Sequence, residues 1–199
     1  GVTVENGTLK IANNTNLGAL AATLTLKDGT TLDTTNADDN LTLDRSLTLG
    51  DGTATLIQDT NVTIERQLVG SDKARLNVKT DDNTLTLNGD NSTFAGDLLV
   101  TGNIAVKQNL GTGTVEFNQG KDSTTAADSS LHMTDNATFT NKFNLNGQTT
   151  FAVDKDTKSV FNAAIKDADY IEKDAADNDV IKQRKGSLVK MGEGEIVLN

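Results

Sequence analysis

The chain has no cysteine, proline or tryptophan, and aromatic residues make up only 4% of its 199 positions. Without cysteine there is no disulfide framework, thiol chemistry or zinc finger. Average usage would place roughly ten prolines in a chain of this length, so their absence is a strong compositional bias. Only 35% of the residues are hydrophobic. A thick globular core is therefore not expected.

Basic charge is also scarce, with 18 Lys and Arg against 28 Asp and Glu and a net charge of -10. Proteins that bind nucleic acid or anionic lipid cluster Lys and Arg. No window approaches the ~18 apolar residues of a membrane span, and the first residues do not form a signal peptide. We expect no nucleic-acid partner and no membrane insertion by this segment.

Threonine and asparagine are abundant instead, at 30 and 21 residues. Threonine favours strands and asparagine favours turns. Apolar residues alternate with polar ones in many short segments, which predicts strands that each bury one face. The clearest apolar pairs are Leu24/Leu26, Leu41/Leu43, Leu47/Leu49, Leu85/Leu87, Ile104/Val106, Val115/Phe117, Phe143/Leu145 and Phe151/Val153.

Two internal repeats are visible. Residues 78–88 (VKTDDNTLTLN) align without gaps on residues 189–199 (VKMGEGEIVLN), and residues 96–106 (GDLLVTGNIAV) align on residues 1–11 (GVTVENGTLKI). Self-similarity of this kind is typical of stacked repeat architectures. Because both ends fall inside the repeat, we expect the chain to be a segment of a longer protein.

Residues 79–106 carry a recognisable pattern, K-x-G-x-G-x-L-x-L-x-G-x-N-T-[YF]-x-G-x-[TL]-x-V-x-x-G-x-L-x-V. It is similar to the passenger-associated repeat of Gram-negative autotransporters, the type V secretion proteins. Asp81 and Asn83 replace the first two glycines, whereas the copy at the other end of the chain has Gly192 and Gly194. The resemblance covers residues 1–106 and 186–199.

This resemblance implies an all-β chain folded as a right-handed parallel β-helix, or β-solenoid. At ~20 residues per rung it would have about ten rungs and be about 45–50 Å long. Rungs are expected over residues 1–162, with a truncated rung at 186–199. Phe94 would fill the interior at a corner, with Gly89 and Gly96 letting the backbone turn around it.

Residues 163–185 depart from the strand pattern. Threonine is absent after Thr157, and apolar residues recur at a helix-like spacing at Val160, Ala164, Ala168, Ile171 and Ala175. We expect a lateral loop or a short helix here, capped by Gly186, before the rungs resume. Because loops that project from a scaffold often bind partners, the candidate interaction residues are Tyr170, Lys182, Arg184 and Lys185. The alternative is an acidic, solvated loop that contacts nothing.

Catalytic and metal-binding patterns are weak. His132 has Ser129, Ser130 and Asp135 nearby, but no G-x-S-x-G motif accompanies them, so a surface histidine is favoured over a catalytic relay. Six carboxylates in the excursion could form a glycosidase pair, although sugar-binding aromatic residues are missing; they are Asp167, Asp169, Glu172, Asp174, Asp177 and Asp179. Asp154, Asp156 and residues 174–179 lack the EF-hand spacing. We expect no catalytic residue, no cofactor and no metal.

Three classes of function remain. The favoured one is a non-enzymatic, structural and adhesive segment of a passenger, displayed on the bacterial cell surface at the extracellular face of the outer membrane, or secreted. Its partners would be a host-cell surface protein or glycan, or other passengers through self-association, and the segment would be a monomer in solution. The alternatives are a phage tail-fibre or tailspike segment, which would be trimeric, and a β-helical carbohydrate-active enzyme with two carboxylates in a groove.

Overall fold

The computed structural model describes residues 1–19, 21–37, 40–117 and 129–199. In the first half of the chain the strands are β1 Val2–Val4, β2 Thr8–Lys10, β3 Leu24–Leu26, β4 Thr31–Asp33, β5 Leu41–Leu43, β6 Leu47–Leu49, β7 Gly52–Ile57, β8 Val62–Ile64, β9 Leu68–Val69, β10 Ala74–Leu87 and β11 Asp97–Val106. A 3₁₀ helix, Asn14–Leu17, lies between β2 and β3.

The second half continues with β12 Val115–Phe117, β13 Ser129–Met133, β14 Ala137–Phe139, β15 Phe143–Leu145, β16 Gly147–Val153, β17 Lys158–Phe161, β18 Ile165–Asp167, β19 Asp169–Lys173, β20 Asp179–Gln183, β21 Gly186–Met191 and β22 Glu195–Leu198. None of the described residues lies in an α-helix. The all-β class predicted from the alternating pattern is confirmed.

The strands pair in parallel with strands from neighbouring passes of the chain. The longest path runs β2-β4-β7-β10-β11-β12-β15-β18. Along it Thr8 faces Thr31, and Thr31 faces Thr55. Residues paired between neighbouring strands of this path are mostly about 22 to 24 positions apart in sequence, more than the ~20 residues expected per rung. The described residues supply eight strands to this path.

Inward side chains of successive strands lie directly over one another. Leu24 faces Leu47 and Leu47 faces Leu68, and all three are buried. Thr25 and Thr48 each lie between two leucines of a strand, point outward and are half-buried. The Leu-Thr-Leu alternation thus separates an apolar interior from a hydroxyl-rich surface, as a period of two residues requires.

Aromatic residues take over the interior in the second half. Five buried phenylalanine rings form one cluster in which each ring contacts at least two others, with centroids 4.7 to 6.5 Å apart; they are Phe117, Phe139, Phe143, Phe151 and Phe161. Although the chain has few aromatic residues, it concentrates them in one continuous cluster. Such ring pairs add to the stability that burial alone provides.

Phe94 lies in the interior, as predicted, and its side chain is fully buried. The role expected for the neighbouring glycines needs correction, because neither Gly89 nor Gly96 has a positive φ. A Cβ on Gly96 would lie 2.6 Å from the carbonyl oxygen of Ala74 and 2.7 Å from Cζ of Phe94. Close approach of the backbone, and not the turning of the chain, requires glycine here.

The segment 163–185 contains no helix. Instead β19 and β20 form an antiparallel hairpin in which Ile171 faces Ile181 and Glu172 faces Val180. β-Branched side chains favour strands, and they outweigh the accidental helix-like spacing of the alanines. Gly186 caps no helix either, since it begins β21 and donates its N–H to Oδ1 of Asp167 at 3.0 Å.

Candidate functional site

The β19–β20 hairpin is the one antiparallel pair among the described strands, and it is also the most exposed segment. Residues 171–179 are exposed without exception. The two ends of the hairpin meet, because the N–H of Arg184 donates to the carbonyl of Ala168 at 2.8 Å. Ala168 is buried and donates its own N–H to Leu145 at 3.0 Å. The base of the hairpin is thus anchored on β15 through Ala168.

The hairpin turn is organised by Asp174. Its Oδ1 accepts hydrogen bonds from the backbone N–H groups of Ala176 at 2.8 Å and Asn178 at 2.9 Å, and Asp177 adopts a φ of 63°. The hydrogen bonds from Asn178 and Ala176 stabilise the ionised carboxylate and lower the pKa of Asp174 below its ordinary 3.8. The turn is therefore held by a charged side chain at neutral pH.

One face of the hairpin has an apolar centre and polar ends. Ile171 and Ile181 face each other at the centre and are 67% and 72% exposed. At the end near the turn, Lys173 Nζ lies 2.7 Å from Oδ1 of Asp179. At the other end, Nε2 of Gln183 donates to Oδ1 of Asp169 at 3.3 Å. We call these six residues the isoleucine face.

The opposite face carries part of the predicted interaction set. Lys182 forms an ion pair with Glu172, and it is the cross-strand neighbour of Tyr170 in backbone register. Arg184 and Lys185 lie at the base, where the Lys185 carbonyl accepts the N–H of Gly147 at 3.2 Å. The structure thus pairs Tyr170 with Lys182 in backbone register, whereas Arg184 and Lys185 lie at the base of the hairpin.

The prediction from sequence missed Ile171 and Ile181 as surface residues. The helix-like spacing places Ile171 on an apolar stripe with Ala164, Ala168 and Ala175. The alternation within DYIEK and DVIKQ was the available signal, because each isoleucine lies at the centre of a five-residue strand.

Each of the six carboxylates considered for glycoside hydrolysis has a partner within or beside the hairpin. Asp167 accepts from Gly186, Asp169 and Glu172 pair with Lys166 and Lys182, Asp174 holds the turn, and Asp177 and Asp179 both pair with Lys173. A general acid requires a raised pKa. The pKa of Asp174 is lowered, which is the opposite of that requirement.

The Ser/His/Asp relay is not assembled. His132 Nε2 lies 2.7 Å from Oδ1 of Asp154 on the neighbouring pass of the chain. The Ser130 hydroxyl donates to Asn103 at 2.8 Å, and Ser129 Oγ accepts the Gly102 N–H at 3.0 Å. His132 is half-exposed, whereas Ser129 is buried on the other side of the same strand. This arrangement fits the surface interpretation of the histidine.

Within the described ranges, no three or more His, Asp or Glu side chains are grouped so that they could hold a metal ion. No described helix has the length and apolar character needed to cross a bilayer.

Comparison with known proteins gives one informative similarity. No family model and no solved structure matches the chain. The chain is similar to the adhesin BmaC autotransporter of Brucella suis biovar 1 (strain 1330), with 38% identity over an alignment of 119 residues that covers 56% of this chain. It spans only 3% of the length of that adhesin. The resemblance to an autotransporter passenger of the adhesin type, inferred from the repeat, is confirmed.

Proposed function

We propose that the chain winds as a right-handed parallel β-helix. The parallel register between successive passes supports this fold, as do the inward leucines lying over one another. In such a fold each pass hydrogen-bonds to the passes above and below, and only side chains reach the solvent along its length. A winding of this kind makes a stiff rod whose outer surface is available for contacts.

We further propose that this rod is a non-enzymatic, structural and adhesive segment of an autotransporter passenger, located on the bacterial cell surface or secreted. The similarity to the BmaC adhesin is the observation that carries this proposal. Pairing of the hairpin carboxylates with cations and backbone N–H groups favours a structural role for them over a catalytic one.

The partners we propose are a host-cell surface protein or glycan, or another copy of the passenger. The outward residues suit such contacts, because rows of threonine hydroxyls run across the strands. Thr42, Thr63 and Thr86 form one row, and Thr25 and Thr48 belong to another. Polar rows of this kind provide donors and acceptors at the regular spacing of the strands.

The adhesive role is tested with beads that carry the 199-residue protein. We expect these beads to bind host epithelial cells, to clump with one another, or both. Beads carrying the same protein after heat unfolding are the control, since they present the same composition and charge. If native beads do neither more than unfolded ones, the adhesive proposal is wrong.

The fold is tested by light scattering combined with small-angle X-ray scattering on dilute protein. We expect an elongated monomer about 35–40 Å long, given eight strands at ~4.8 Å spacing. A stable trimer would instead support a phage fibre, and a compact sphere would overturn the rod.

A further inference from the structure

The isoleucine face is an apolar surface that no described residue of this chain covers. Ile171 and Ile181 lie side by side at its centre, with charged and amide side chains at both ends. Apolar centres with polar rims mark interaction sites. A two-stranded hairpin alone is also only marginally stable in water, and it gains stability when its apolar face is covered.

The charges on this face make it complementary to itself. Lys173 lies at one end of β19, next to Asp179 on β20. Asp169 lies at the other end of β19. Suppose that two copies of the face meet about a two-fold axis that lies in the plane between them and runs perpendicular to the strands. Lys173 of each copy then lies over Asp169 of the other.

A two-fold axis parallel to the strands also gives a favourable arrangement, because it places Lys173 over Asp179 of the second copy. Either symmetric arrangement therefore packs isoleucine on isoleucine and lysine on a carboxylate. A C2 contact requires this kind of self-complementary surface.

We propose that the isoleucine face docks onto the same face of a second copy of this chain. The inference rests on the proposed adhesive function and identifies the partner and the surface for its self-association. Six side chains from each copy bury well under the ~1,200 Å² of a stable complex. The contact is therefore weak between two free molecules and becomes strong when many copies face each other on two surfaces.

The first test is sedimentation velocity of the 199-residue protein over a wide concentration range, together with bead clumping. Replacement of both Ile171→Thr and Ile181→Thr removes the apolar centre and keeps β-branched residues that suit the strands. We expect self-association at least tenfold weaker than in the wild type. Val189→Thr is the matched control, because Val189 is exposed but lies outside the face, and it should leave the association unchanged.

The second test exchanges charges and relies on rescue by mixing, because these substitutions also remove the ion pair between Lys173 and Asp179 inside the hairpin. Lys173→Glu makes the rim entirely acidic, whereas Asp169→Lys with Asp179→Lys makes it entirely basic. Each variant alone should clump at least tenfold less than wild type. A mixture of the two should recover clumping, since opposite rims then meet. A variant that had only damaged the hairpin would not be rescued by mixing.

The results separate this inference from the adhesive proposal. If clumping persists in the double threonine variant, or if mixing restores nothing, the inference is wrong while the adhesive role stands. Beads that bind host cells through the isoleucines but do not clump would assign the face to a host partner and overturn the second copy as its occupant. If native beads neither clump nor bind cells, both proposals fail.

Discussion

Asp81 and Gly192 both have a positive φ, at 46° and 76°, in the left-handed region of backbone conformation. They occupy equivalent positions of the repeat that aligns residues 78–88 with residues 189–199. The bend in the backbone at this position is therefore common to both copies, although only one copy has the residue that adopts it without strain. A non-glycine residue in this region costs about 1 kcal/mol or more, and Asp is among the better tolerated.

We predict that Asp81→Gly stabilises the protein by up to about 1 kcal/mol, because it removes the side chain from a left-handed position. The measurement is urea unfolding followed by circular dichroism. Asp82→Gly is the matched control, since Asp82 has no positive φ and lies in the same exposed part of β10. It should destabilise by about 0.5–1 kcal/mol. Equal effects of the two changes would contradict the explanation.

Gly192→Ala should have the opposite effect and destabilise the protein by about 2–3 kcal/mol. A Cβ at this position would run into the carbonyl oxygen of Val153, and the backbone conformation would also be strained. Gly7→Ala separates the two causes, because Gly7 has a φ of 75° and open space around it. Only the strain should be measured there, at about 1 kcal/mol. Thermal unfolding of both variants provides the comparison.

Arg45 is fully buried and only 1% exposed. Its guanidinium donates to both the side-chain and backbone oxygens of Asn14, at 2.8 and 3.1 Å, and to the carbonyls of Leu17 and Ala22, both at 3.2 Å. It thereby fixes the 3₁₀ helix and the chain that follows it against the neighbouring pass.

Arg45→Met should destabilise the protein by about 2–4 kcal/mol, because one buried and two partly buried carbonyls lose their donor while the volume is nearly kept. Arg66→Met is the control, since Arg66 pairs with Asp44 at 2.9 Å on the surface, where such pairs contribute under ~1 kcal/mol. Denaturant unfolding of both variants measures the difference. A small effect at Arg45 would mean that water replaces the guanidinium.

The sequence was informative where one local pattern was repeated many times. Leu24, Thr25 and Leu26 follow the period of a strand, and the same pattern recurs along the chain, so the all-β class could be predicted. Arg45 could not be predicted as a buried residue, because arginine is normally exposed and its acceptors come from residues about 23–31 positions away.

The hairpin shows a second limit of sequence reasoning. Ala164, Ala168, Ile171 and Ala175 fit a helical stripe, but alanine contributes little to any apolar face, so the match was not informative. The deciding contact joins Ile171 to Ile181 across the hairpin, and a single-segment period does not detect a pairing between two segments. The hairpin form of this segment could therefore not be predicted from the sequence, and its role as an interaction site stays a prediction.

Replacing a phenylalanine of the cluster by a smaller side chain should lower the free energy of unfolding. Phe143 contacts four other rings at centroid distances of 5.3 to 6.5 Å. Phe143→Ala should cost about 3–5 kcal/mol through lost burial and the remaining cavity. Phe143→Leu should cost about 1–2 kcal/mol, because it retains most of the volume. Urea unfolding measures both, and equal losses would argue against a cavity.

The stability of the hairpin turn should depend on pH through the carboxylate of Asp174. Its pKa is lowered from 3.8 by hydrogen bonds from Asn178 and Ala176 that require the carboxylate. A lowered pKa in the folded state means that this contribution to stability is complete above the ordinary value of 3.8 and is lost as the pH falls below it.

Protection of the Ala176 and Asn178 amides from hydrogen exchange should therefore be constant from pH 7 to 5, after correction for the intrinsic rate. It should decrease at pH 3, whereas Asp174→Asn should show weaker protection with no such pH dependence. A loss of protection between pH 7 and 5 would assign the turn's stability to another group.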